Sequence, residues 1–101
     1  MTFTAKFIPN DKQNPFGKLA DCELHFNGGP LDGLKLIGFA VWERKGGGRN
    51  VTMPARQYLV NGERRPFSLL RPIANSAAQD ALRDLILAAY LEHEAELAAA
   101  L

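Results

Sequence analysis

From Ser76 to Leu101 the chain is dominated by Ala, Leu and Glu, residues that favour the helix. Upstream, every run is short and is cut by a turn signal: Pro9, Gly17, Asn27-Gly28-Gly29-Pro30, Asp32-Gly33, Gly46-Gly47-Gly48, Pro54, Asn61-Gly62 and Pro72. The partition predicts an α+β fold. An antiparallel β-sheet of about five strands, within residues 2–73, is followed by one long C-terminal helix over about 76–98, and residues 1–101 make a single domain. A chain of 101 residues, 47% apolar and 23% charged, can bury a core without metals or disulfides.

The first runs alternate. Phe3, Ala5 and Phe7 fall on one side and Thr2, Thr4 and Lys6 on the other, a half-buried strand that stops at Pro9. Asn10 to Gly17 reads as a loop. Leu19 to Phe26 reads as a second strand, with Leu24 and Phe26 opposed to Glu23 and His25. Leu34 to Trp42 is the most apolar strand. Strict alternation sets Leu34, Leu36, Gly38 and Ala40 against Lys35, Ile37, Phe39 and Val41, so this strand is expected to be covered on both faces. Gly38 within it marks a bulge or a close backbone approach. Arg49 to Met53 forms the next strand, closed by Pro54, and Ala55 to Val60 either extends it or loops. Asn61-Gly62 signals a hairpin turn, because both residues tolerate positive φ. Phe67 to Leu70 is the last strand expected.

Ser76-Ala77-Ala78-Gln79 has the spacing of a capping box, and Asp80 suits the positive end of a helix dipole. One apolar stripe runs through Leu82, Leu85, Ile86 and Ala89 to His93 and Leu97, and a second through Leu87, Leu91, Ala95 and Ala98. One stripe is enough to dock a helix on its own sheet. The second therefore points to a homodimer with Leu87, Leu91 and Ala95 at the interface.

Charge is unevenly divided. Residues 33–72 hold eight cations against two acids, whereas residues 73–101 hold Arg83 against five acids. Arg44, Lys45, Arg49, Arg56, Arg64, Arg65 and Arg71 recur at predicted strand ends and turns. Guanidinium groups gathered along one edge suit phosphate or carboxylate, which their planar fork can bind in bidentate fashion. The same residues also suit solvated turns, and Arg56 or Arg71 also suits an ion pair with Glu63 or the helix acids. Trp42, Tyr58 and Phe67 are candidates for stacking on unpaired bases, or simply for packing.

Other chemistries find little footing. Cys22 has no partner for a disulfide and fits a reducing compartment as a small apolar filler. Cys22 and His25 lack a second pair of ligands and fall on opposite faces of their strand, so no metal is expected. Glu92-His93-Glu94 lacks the second histidine of a zinc-protease helix, and His93 reads as a partly buried interface residue. The glycines at 46–48 are followed by neither Lys-Ser/Thr nor a helix and do not make a phosphate loop. No catalytic group or cofactor is expected, and the chain reads as a non-enzyme. The start has no signal-peptide pattern and no run is apolar enough to span a bilayer, so the expected location is cytoplasmic.

The order Met53-Pro54-Ala55-Arg56, Gly62-Glu63-x-Arg65, Pro72-Ile73 and then a helix from Ser76 with Gln79 and Tyr90 resembles the bacterial SpoVG family over Leu34 to Tyr90. The resemblance implies a small dimer of strands followed by a helix, binding DNA and RNA as a regulator of the septation and sporulation kind. Two features depart from that family: the longer segment Gln57 to Asn61 and the acidic helix. The departure leaves the sheet-end arginines to carry the binding. The other expectation open at this point is a non-enzymatic protein-interaction module whose basic edge meets an acidic partner.

Overall fold

The alternation of Phe3, Ala5 and Phe7 with Thr4 and Lys6 becomes one edge of a four-stranded antiparallel sheet. The computed structural model describes residues 2–12 and 15–101. Its elements are β1 (Phe3–Pro9), β2 (Lys18–Phe26), β3 (Lys35–Glu43), β4 (Arg49–Thr52), β5 (Ala55–Val60), β6 (Glu63–Ser68) and α1 (Ala77–Ala99), with one 3-10 turn at Gly29–Leu31. Strands β1 to β4 lie side by side in chain order, and β5 and β6 form a separate two-stranded sheet. The architecture is α+β, as expected, with six strands divided between two sheets. The loop expected at Asn10–Gly17 includes positions 13 and 14, which lie outside the described residues.

Two local signals cause the division. Pro54 removes a ladder donor at the end of β4 and stops that pairing. Asn61 and Gly62 both take positive φ, 52° and 80°, and fold Ala55–Val60 back on Glu63–Ser68. Ala55–Val60, open between strand and loop from its residues, is thus a strand. Its partner begins at Glu63 and ends at Ser68, earlier than the run Phe67 to Leu70 implied.

The core lies between one face of the four-stranded sheet and α1. Ala20, Cys22 and Leu24 of β2, Phe39 and Val41 of β3 and Val51 of β4 are buried there with Ile86 and Tyr90 of the helix, and Phe3, Ala5 and Phe7 pack at the side. Each large side chain taken fully out of water contributes about 1.5–3 kcal/mol. Phe7 meets Tyr90 edge-on, with ring centroids 5.1 Å apart. Helix α1 reaches both edge strands of the sheet, β1 and β4.

Strict alternation in β3 fails at Gly38. The β2–β3 register slips between Cys22 and Leu24, so Leu36 and Phe39, three positions apart, both pair with residues of the buried face. The slip is a bulge, made possible by Gly38 at φ +109°. It corrects the expected face assignment: Phe39 and Val41 join the core, while Leu34 and Ile37 are 58% and 59% exposed. Gly38 is also a close approach, since a Cβ there would stand 3.0 Å from that of Pro54.

The helix start differs from a capping box. Ser76 makes no side-chain cap and sits in the helical region. Instead Asn75 Oδ1 accepts from the Ala77 amide at 2.9 Å, and the Gln79 side-chain amide donates to the Leu70 carbonyl at 3.2 Å. Gln79 therefore ties the helix to the segment after β6. The apolar stripes also differ. Leu82, Ile86 and Leu87 face the core with Tyr90, which belonged to neither predicted stripe, while Leu85 is 58% exposed.

Candidate nucleic-acid interface

Strands β5 and β6 pair with each other and barely touch the rest of the chain. The Cα radius of gyration, 15.0 Å, exceeds the roughly 13 Å usual for a domain of this length, and the ribbon and the 23-residue helix both extend the molecule. The ribbon is fastened at its root. The Leu69 amide donates to the Pro54 carbonyl at 2.9 Å, and Pro54 is buried against Gly38.

Register sorts the ribbon into two faces. Arg56 lies opposite Phe67 and Tyr58 opposite Arg65, so two arginines and two aromatic rings alternate like squares on a chequerboard. Tyr58 and Phe67, on one diagonal, meet edge-on with centroids 6.2 Å apart. They stay 43% and 46% exposed. Beyond the strand end, the Arg71 guanidinium stands 5.0 Å from the Phe67 ring centroid. The reverse face carries Gln57, Leu59 and Arg64, with Leu59 70% exposed.

The seven cations singled out from sequence meet different fates. Arg49 is committed to the protein itself. Its Nε and Nη2 donate to the two carboxylate oxygens of Glu94 at 3.3 and 3.0 Å, and Nη1 donates to the Gly48 carbonyl. That fork raises the Arg49 pKa further above its ordinary value, chiefly through the hydrogen bond to Glu94. Arg65 pairs with Glu63 at 3.3 Å in an exposed contact worth about 0–1 kcal/mol. Arg71 stacks on Phe67 and makes no ion pair among the described residues. Arg44, Lys45, Arg56 and Arg64 are exposed and make no ion pair among the described residues. The seven thus form two groups, one around the β3–β4 turn and one on the ribbon.

A groove of about 640 Å³ runs between β4, the ribbon root and the start of α1, lined by Arg44, Arg49 and Arg83 among others. Arg83 was not among the residues picked from sequence. Its Nε donates to the Val51 carbonyl at 3.2 Å and its Nη1 to Asp80 at 2.9 Å, so it guards a backbone acceptor of β4. The available signal was spacing: Arg83 stands three and four positions before Ile86 and Leu87, on the face turned to the sheet.

Of the residues proposed for a dimer contact, Leu87 packs on its own core, Leu91 is 51% exposed and Ala95 is exposed. His93 is half-buried against Phe7, ring centroids 5.4 Å apart. Trp42 donates through Nε1 to Thr52 Oγ1 at 2.9 Å, across the β3–β4 pair of the four-stranded sheet. Burial pushes the Cys22 thiol pKa up to about 11, with the Glu23 carboxylate adding to the rise. Among the described residues no group of three or more His, Cys, Asp or Glu is placed to hold a metal ion, and no helix is long and apolar enough to cross a membrane. No protein-family model, curated protein or solved structure matches the chain.

Proposed function

We propose that this chain is a SpoVG-like, non-enzymatic regulatory protein of the bacterial cytoplasm that binds DNA or RNA as a homodimer. One observation carries the reading. Arg56, Arg64 and Arg65 stand on a projecting ribbon whose one acid is Glu63, Arg71 stands just beyond its end, and none of the four is held by a carboxylate of the four-stranded sheet or helix among the described residues. Arg44 and Lys45 extend the basic surface at the β3–β4 turn. Exposed guanidiniums of this kind neutralise phosphates and release counterions. The regulatory role, of the septation and sporulation kind, rests on the motif resemblance. The dimer rests on the apolar residues that α1 leaves uncovered, Leu91 with Ala95, and on Leu87 at their border.

The test is a salt titration of binding to single- and double-stranded oligonucleotides. Replacing Arg64 and Arg65 by alanine is expected to weaken binding and to flatten the dependence of log K on log salt by about 0.7–0.9 for each phosphate no longer neutralised. Failure to bind either oligonucleotide at low salt sinks the reading. Light scattering checks the dimer, and a monomer at micromolar concentration removes it. The bare backbone edges of β5 and β6 favour a second reading, in which the ribbon pairs with an extended acidic peptide of a protein partner. Capture of such a peptide without any nucleic-acid binding would select it.

A further inference from the structure

Tyr58 and Phe67 are the feature that phosphate binding leaves unexplained. Two aromatic rings, each more than two-fifths exposed, lie on a ribbon that has no hydrophobic layer over that face. Exposed aromatics in such a place cost solubility without adding to the core. Phosphate binding needs only the arginines. We infer that the face formed by Arg56, Tyr58, Arg65 and Phe67 is a stacking platform for unpaired bases, and that the ribbon prefers single-stranded nucleic acid to duplex. The inference rests on the nucleic-acid reading above and adds to it the form of the ligand.

The geometry supports it in three ways. A duplex hides the faces of its bases and shows only their edges in the grooves, so an aromatic ring can stack only on a base that has left its pair. The two rings stand at 76° to each other with centroids 6.2 Å apart, so bases stacked on both cannot continue into one stacked column. Bases resting on both rings are therefore separated from each other, as in an extended single strand. Finally, the opposite member of each cross-strand pair is an arginine, Arg56 beside Phe67 and Arg65 beside Tyr58. Each ring thus has a guanidinium at about one side chain's distance for the phosphate of the nucleotide it holds.

Arg71 fits the same arrangement. In the free protein its guanidinium covers Phe67 at 5.0 Å. An exposed cation–π interaction is weaker than a base–aromatic stack. A base can take its place, leaving Arg71 beside the ribose-phosphate chain. The ribbon then gives up nothing favourable that the nucleotide does not replace.

The experiment measures anisotropy of a labelled oligothymidine, alone and annealed to its complement, against the full chain and the variants Tyr58→Leu, Phe67→Leu, Tyr58→Phe and Arg56→Ala. The single strand is expected to bind more tightly than the duplex. Tyr58→Leu and Phe67→Leu are each expected to weaken single-strand binding by about five- to a hundredfold and duplex binding by much less, while Tyr58→Phe keeps the affinity. Circular dichroism of each variant confirms that the sheet and helix persist. Equal affinity for both forms, or leucine variants that bind the single strand as tightly as the parent, overturns the stacking platform. If Arg56→Ala still weakens both forms in that case, phosphate binding by the ribbon survives without it. If neither form binds at low salt, the nucleic-acid reading falls and this inference with it.

Discussion

The four-stranded sheet and the ribbon use the same kinds of residue for opposite ends. Two arginines of the body are spent internally, Arg49 forked to Glu94 and Arg83 spanning Asp80 and the Val51 carbonyl, while Arg44 at the β3–β4 turn stays exposed. Arginine on the ribbon faces solvent or lies on a ring. Two strand phenylalanines divide the same way. Phe39 is fully buried, whereas Phe67 is 46% exposed. The body is stabilised by a core, and the ribbon by a turn, a root and its own ladder. A two-stranded hairpin alone is marginally stable in water, so the ribbon depends on the body for its place and contributes little in return.

The largest contrast expected is in packing. Phe39→Ala removes a fully buried ring from the centre of the body and should cost about 3–5 kcal/mol in chemical denaturation. Tyr58→Ala on the ribbon should change the same midpoint little. Similar losses for the two would mean that the ribbon is covered in solution, and would break the contrast. The core also sets a pH dependence. The buried Cys22 thiol has its pKa raised from 9.0 to about 11. The unfolded chain then releases a proton that the folded chain retains, so stability is intact below pH 9 and falls as pH rises toward 11. Cys22→Ser should remove that fall.

The joint between the two regions gives the next largest effect. Gly38 is at φ +109° with Pro54 pressed against it, so Gly38→Ala combines backbone strain with a clash at the ribbon root. We expect a loss of about 1–3 kcal/mol, read in thermal melts. Hydrogen exchange should report the ribbon amides opening faster in this variant. A neutral Gly38→Ala would mean that the bulge and root move apart freely.

How much of this division the chain announces depends on the range of the forces involved. Turn chemistry is local, so Asn61-Gly62, Pro54 and the Gly46–Gly48 turn were all legible, as was the switch from strands to a final helix. The bulge at Gly38 was legible as an alternative, though its consequence for Phe39 was not. Strict alternation cannot show a register slip, because the slip is fixed by the neighbouring strand. The separation of β5–β6 from the sheet was hidden for the same reason. Ala55–Val60 has residues that suit either a fifth ladder or a free hairpin, and only the long-range pairing decides between them. The seven basic residues of the site were readable as types. Their partners were not, since Arg49 and Glu94 are 45 positions apart in the chain.

Charge tests refine the comparison further. Glu94→Gln leaves Arg49 without its carboxylate in a site where the side chains are 26% and 33% exposed. We expect a loss of about 1 kcal/mol of stability. The freed Arg49 should also join the basic surface and steepen the salt dependence of nucleic-acid binding by about 0.7–0.9. A stable variant with unchanged salt dependence would show that Arg49 lies outside any phosphate path.

The smallest effect on folding should come from the same substitution on the ribbon. Glu63 and Arg65 are paired at 3.3 Å with side chains 72% and 58% exposed, and water screens such a pair almost completely. Glu63→Gln should therefore leave the denaturation midpoint unchanged within about 0.5 kcal/mol. On the proposed nucleic-acid reading, binding should respond in the opposite sense, because Glu63 is the one acid on the ribbon and would repel phosphates drawn to Arg65. Tighter binding without a stability change would separate the two regions cleanly: a carboxylate in the body holds the fold, and a carboxylate on the ribbon restrains the ligand. If Glu63→Gln instead destabilises the chain as much as Glu94→Gln does, the ribbon pair has a structural role and the two regions are built on the same principle.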